Sequence, residues 1–173
     1  MGAYGIVNRV TFFFTMIVLG ITQGMQPIVS YNYGARQFDR VTEALKKAIG
    51  LAFITLTIGF IIGETIPRFT CSLFTTDEEL LKYSIDGMRI VMCTFPIISL
   101  PIVIGNFFQS IGKAKKSILL SLSRQVLFLT PLLLILPNFI GINGVWWSIP
   151  ISDFIATILS VIMIYRYYKF DAK

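Results

Sequence analysis

Two charged side chains lie well inside apolar stretches of this chain, away from their ends: Arg124 and Asp153. A lone charge in such surroundings is costly, so it pairs with an opposite charge or does work. Arg124 and Asp153 are therefore expected to form a buried ion pair that fixes helix packing. The alternative is a carboxylate that takes up a proton or cation during transport. A second set of polar groups, Asn8, Thr11, Thr15, Thr22 and Gln26, recurs at steps of three, four, seven and four. On a helix those steps share one face, with Phe13, Ile17, Ile21 and Ile28 opposite. Such a stripe suits a transport pathway or hydrogen bonding between helices. The chain has no histidine, and its two cysteines, Cys71 and Cys93, make no metal-binding spacing. There is no phosphate-binding loop and no nucleophile elbow. No catalytic set, no metal site and no enzymatic activity are expected.

The elements that must carry these groups are long and greasy. Hydrophobic residues make up 55% of the 173, charged residues only 14%, and the mean hydropathy is +0.75. That is too little charge to cover a soluble domain. A hydrocarbon core of ~30 Å takes roughly 20 helical residues, and five segments are long enough: Ile6–Tyr31, Ala48–Ile66, Met88–Ile111, Ile118–Leu136 and Val145–Tyr165. None shows the alternation of a barrel strand. The expected fold is all-α and integral to the membrane, one domain over residues 1–173 with five transmembrane helices.

The net charge of +6 sorts by side rather than marking a nucleic-acid interface. Arg36, Arg40, Lys46 and Lys47 lie in one connector, Lys113, Lys115 and Lys116 in another, and Arg166, Lys169 and Lys173 in the tail. These segments share one side of the membrane and hold ten of the fifteen basic residues. Positive residues stay inside, so that side, with the C-terminus, is expected in the cytoplasm of a plasma-membrane protein. Thr70–Gly87, with Asp77, Glu78, Glu79 and Asp86, is then external and holds a short amphipathic helix capped by Thr76 or Asp77. Pro137–Gly144 reads as a tight external turn. Trp146 and Trp147 fall at an outer aromatic belt, and Tyr165, Tyr167 and Tyr168 at an inner one. An odd number of spans puts the N-terminus outside, at the lip of the first helix. The chain is therefore expected to be the C-terminal part of a longer protein.

Small residues and prolines mark packing and bends. Gly20/Gly24 and Gly59/Gly63 have the four-residue spacing that lets helix backbones approach. Pro96 and Pro101 in one helix suggest a bend or hinge. Phe12, Phe13, Phe14, Phe95, Phe107, Phe108 and Met92 are candidates for a greasy cavity wall, or for packing on lipid and neighbouring helices.

The end of the first helix reads Gln23-Gly24-Met25-Gln26-Pro27-Ile28-Val29-Ser30-Tyr31-Asn32-Tyr33-Gly34-Ala35. It resembles the helix-to-loop segment of the multidrug and toxic compound extrusion (MATE) family. Asn106 to Ala114 resembles the end of that family's tenth helix, Ser123-Arg124-Gln125-Val126 with Pro131 its eleventh, and Gly144-Val145-Trp146 with Pro150 and Asp153 its twelfth. The resemblance implies helices eight to twelve, a partial six-helix lobe of a two-lobed transporter. It implies antiport of lipophilic cations against Na⁺ or H⁺, with no other cofactor. Membrane lipid and the missing N-terminal lobe would be the partners, and nucleic acid would not. Gln23, Gln26, Phe95 and Asn106 would face the substrate cavity. Some members carry a coupling carboxylate midway along the tenth helix, where this chain reads Cys93-Thr94-Phe95-Pro96, so the coupling site would lie in the other lobe. Two other readings stay open: a lipid-linked oligosaccharide flippase of the same superfamily, and a membrane fragment that does not transport by itself.

Overall fold

The computed structural model describes residues 2–171, and these contain helices and no strand. Lys173 of the basic tail lies outside them. In chain order the helices are α1 (Gly2–Gly34), α2 (Phe38–Thr65), α3 (Pro67–Ser72), α4 (Glu78–Met92), α5 (Phe95–Ser110) and α6 (Ala114–Leu122). A π-helical stretch, Ser123–Leu129, joins α6 to α7 (Thr130–Ile140). After α8 (Ile142–Arg166) the described residues close with a second π-helical turn, Tyr167–Asp171. Four helical stretches are long and apolar enough to cross a membrane: α1, α2, α6 through α7, and α8 into the last turn. The pair α4 and α5, bent by 56° between them, is long and apolar enough together for a fifth, as a broken span or a re-entrant loop.

The break falls at Cys93-Thr94, just before Pro96. Proline is acceptable in a first helical turn, because those N–H groups have no intrahelical partner. Pro101 instead sits inside α5, where it cannot donate to the carbonyl of Ile97. The Thr157 hydroxyl of α8, whose shorter bond at 2.7 Å is to the Asp153 carbonyl of its own helix, lies 3.3 Å from the Ile97 carbonyl. A neighbouring helix thus brings a hydroxyl within reach of the group that proline leaves orphaned.

Two reversals share one design. After α1 the Gln37 N–H returns to the Asn32 carbonyl, and after α5 the Lys113 N–H returns to the Phe108 carbonyl, both at 2.9 Å. Each is the long return bond of a helix C-cap with a left-handed residue before it. Gly112 fills that place after α5 at φ 74°; Arg36 fills it after α1 at φ 57°.

The core lies where α1, α2 and α5 meet, with α4 and α8 closing its flanks. Val18, Val29, Ala52, Leu56, Val103, Phe107 and Phe108 are fully buried there. Gly59 and Gly63 serve the close packing their spacing suggests: Phe14 covers Gly59, and Met92 lies against Gly63. Gly20 and Gly24 meet nothing within 4 Å. The face they share is exposed in this chain. The outer surface is apolar, with Phe13, Leu134 and Phe139 among its exposed side chains, as lipid contact requires.

Several expectations give way. The turn expected at Pro137–Gly144 shrinks to Gly141, because α7 runs through Pro137 to Ile140 and α8 starts at Ile142. Gly141 reverses the chain by itself with φ 59° and ψ −144°, a conformation open to glycine. Trp146 is not in an aromatic belt. It is buried, lies over Gly87, and its ring centroid is 6.2 Å from that of Tyr4. Tyr167 is buried too, edge-on to Phe107 at 5.6 Å and Phe108 at 5.8 Å. Both rings find more apolar contact inside the bundle than at its rim. Phe107, Phe108 and Met92 belong to the core rather than to a cavity wall. Asp77 does cap α4: its carboxylate accepts from the N–H groups of Glu79 at 3.0 Å and Leu80 at 3.3 Å.

Candidate functional site

The polar stripe of α1 largely satisfies itself. Thr11, Thr15 and Thr22 donate their hydroxyls to carbonyls three or four residues back, at 2.8–3.0 Å. Such back-bonding is how a helix carries a hydroxyl through lipid without a partner. Gln26 is different. Its side-chain amide reaches α5 and donates to the Asn106 side-chain Oδ1 at 3.1 Å, while the Asn106 Nδ2 donates to the Ile102 backbone carbonyl. One turn further on, the Ser30 hydroxyl donates to the Ser110 carbonyl at 2.8 Å. α1 and α5 are thus stitched together toward their C-terminal ends.

Arg124 occupies the second position of the π-helical stretch, and Asp153 lies inside α8. The Arg124 Nε donates to the Asp153 Oδ1 at 2.7 Å. The Asp153 side chain is 1% exposed and that of Arg124 33%. The Asp153 Oδ2 is buried with no hydrogen-bond partner among the described residues. Short polar hydroxyls keep the α8 side tidy: Ser152 donates to the Ile149 carbonyl and Thr157 to that of Asp153.

Two cavities of about 300 Å³ each flank the pair. Thr15, Arg124 and Gln125 line both, so they form the partition between them. One cavity runs past Asn106, Gln109, Ser117 and Ser121. The other runs past Tyr4, Asn8, Thr11, Phe95 and Asp153. Phe95 and Asn106 therefore border different chambers. Gln26 lies behind Asn106, and Gln23 is exposed on α1 and borders neither chamber. Gln109, Gln125, Ser117 and Ser121 were not singled out from the sequence. The two glutamines did carry a signal, as lone amides within apolar spans; the serines did not. Among the described residues no three histidine, cysteine, aspartate or glutamate side chains gather to hold a metal ion.

The MatE family profile matches residues 1–135. The multidrug export protein MepA of Staphylococcus aureus strain MSSA476 is 23% identical over 95% of this chain, which spans 36% of MepA. The MATE multidrug transporter DinF-BH, solved as a complex, superposes with a TM-score of 0.87 at 42% identity over 94% of this chain and 36% of that one. A MATE protein solved in a bent conformation superposes at 0.88 with 21% identity, over 99% of this chain and 39% of its own, which speaks for the fold. The chain thus spans about a third of the length of the relatives it matches.

Proposed function

The chain belongs to the MatE family of multidrug transporters, and we propose that it supplies the C-terminal lobe, short of one helix, of a plasma-membrane antiporter. That antiporter exports lipophilic cations in exchange for Na⁺ or H⁺, and membrane lipid and an N-terminal lobe are its partners. Family members are transporters, not enzymes. One observation carries the reading: the polar face of α1, the broken span α4–α5 and the Arg124–Asp153 pair converge on two chambers inside the lobe. Polar groups within a span face protein or a water-filled path, and transporters place substrate groups where helices are interrupted. Phe95 and Asn106 border those chambers, Gln26 backs Asn106, and Gln23 lies on the exposed face toward a second lobe. The basic connectors Gly34–Lys47 and Gly112–Ser117 face the cytoplasm, and the start of α1 faces outward.

The test is efflux of a cationic dye from cells expressing the longest reading frame that contains this chain. Expression should lower dye retention, and collapsing either the Na⁺ or the H⁺ gradient should abolish the effect. Dye retention equal to that of empty cells would refute the export reading, and efflux indifferent to both gradients would refute antiport. Maleimide labelling of a Lys115→Cys variant from the outside of intact cells would overturn the orientation.

A further inference from the structure

The basic end of α6 carries a groove on its outward side. It holds about 410 Å³ and is lined by Gln109 of α5 and by Ala114, Ser117, Ile118, Ser121 and Leu122 of the helix above it. Ala114, Ile118 and Leu122 follow one another by four residues and make an aliphatic stripe; Ser117 and Ser121, also four apart, make a polar stripe beside it. The aliphatic stripe runs for about 12 Å along the helix axis. Ile118 is 56% exposed and Leu122 52%, among the outward apolar side chains that meet lipid. Ser110 and Ser123 donate their hydroxyls to carbonyls four residues back. Ser117, Ser121 and the Gln109 amide make no such bond, and no other side-chain hydrogen bond among the described residues.

One end of this groove is cationic. Lys113, Lys115 and Lys116 surround the first turn of α6, and the sequence has no acid between Asp86 and Asp153. Two of the three are held against aromatic rings: the Lys113 Nζ lies 4.8 Å from the Tyr167 ring centroid, and the Lys116 Nζ 5.6 Å from that of Phe108. Lys115 is exposed and makes no ion pair among the described residues. Seven residues before Leu122, it leaves the helix within about 20° of that side chain, on the rim of the groove. A water-soluble anion would meet charge here but gain nothing from an aliphatic stripe. An uncharged lipid would fill the stripe and leave the lysines unmatched. An amphiphile with an anionic head and an acyl chain matches both, and the bilayer around the chain supplies it.

We propose that this groove binds an anionic phospholipid as a resident ligand. Its phosphate lies at Lys115, its glycerol esters accept from Gln109 and Ser117, and one acyl chain follows Ala114, Ile118 and Leu122. Gln109, Ser117 and Ser121 also border the Asn106 chamber, so the bound lipid closes that chamber's flank toward the bilayer. The site goes beyond the export reading, because lipid binding neither needs nor reports transport.

The experiment is native mass spectrometry of the 173-residue chain, titrated in detergent with phosphatidylglycerol or with phosphatidylcholine of the same acyl chains. Phosphatidylglycerol should bind about tenfold more tightly, the increment of a charge-assisted contact. Lys115→Gln should cut that preference about fivefold, the share of one basic residue at a charged lipid surface. Lys46→Gln, at an exposed lysine in the other basic connector, should leave it unchanged. Ile118→Asn, which puts an amide into the aliphatic stripe, should weaken phosphatidylglycerol binding about tenfold. Equal binding of the two lipids would overturn the proposal. So would equal effects of Lys115→Gln and Lys46→Gln, which would mean diffuse attraction rather than a site. Binding undiminished in Ile118→Asn would overturn the acyl groove. Displacement of the lipid by millimolar glycerol 1-phosphate would also overturn the proposal, by assigning the lysines to a free phosphate.

Discussion

Neutralising the two members of the Arg124–Asp153 pair should have unequal effects. Two unit charges about 4 Å apart attract by about 4 kcal/mol at an effective dielectric constant of 20. Against this stands the cost of removing both from water, so the intact pair is close to neutral for stability. Breaking it is another matter. Arg124→Gln leaves a carboxylate that is 1% exposed, with one oxygen already lacking a partner. That should cost ~3–5 kcal/mol, the penalty of an uncompensated buried charge. Asp153→Asn leaves an arginine that is 33% exposed and borders two chambers, where water can solvate it. Its cost should be smaller, ~1–2 kcal/mol. The double variant Arg124→Gln with Asp153→Asn should return to within ~1 kcal/mol of the parent, giving a coupling energy of several kcal/mol. Unfolding of the three variants in mixed micelles, followed by far-UV circular dichroism, reads all of these. Additive losses in the double variant would refute the packing role of the pair. An Asp153→Asn loss equal to that of Arg124→Gln would refute the argument from unequal exposure.

Other consequences follow from packing and capping. Gly87→Ala places a methyl group against the Trp146 ring and should cost ~1–3 kcal/mol, whereas Gly20→Ala meets open space and should be neutral or slightly stabilising; thermal unfolding of the two distinguishes them. Asp77→Ala removes the side-chain acceptor for two N–H groups of α4 and should cost ~1 kcal/mol, with Asp77→Asn close to the parent in the same assay. Cys71 is buried and burial pushes its thiol up, so the reactive thiolate is scarce at neutral pH. Maleimide should leave Cys71 unmodified in the folded chain and label it after denaturation, as mass spectrometry of peptides would show.

The helical course of the chain was legible because lipid demands it. Stretches such as Ala48–Ile66 carry so little charge that a spanning helix is the physical outcome. The bend before α5 was legible through Pro96. The packing of Gly59 and Gly63 had a readable spacing, yet Gly20 and Gly24 have the same spacing and pack on nothing here. Spacing says that a face is smooth, not what lies against it. The aromatic residues misled for a related reason. Trp146 and Tyr167 fall at span ends, where a belt is expected, but Gly87 and the Phe107–Phe108 pair offer them closer contact. Contacts between segments so far apart in sequence leave no local trace. At the candidate site, Arg124 and Asp153 stood out because a charge in lipid is conspicuous. Ser117 and Ser121 did not, because serine in a membrane helix ordinarily bonds its own backbone.

The wide turn at Ser123–Leu129 has a consequence for the helix that contains it. Its bonds reach back five residues instead of four, so about one extra residue is stowed without lengthening the rod. The side chains before and after it therefore obey different angular registers. Ser117 and Ser121, before it, can border a chamber while Leu134, beyond it, looks out at lipid. Excising Val126 would let the helix rewind to an ordinary pitch. The two halves would then rotate relative to each other by about 100°, so that one could keep its facing only at the expense of the other.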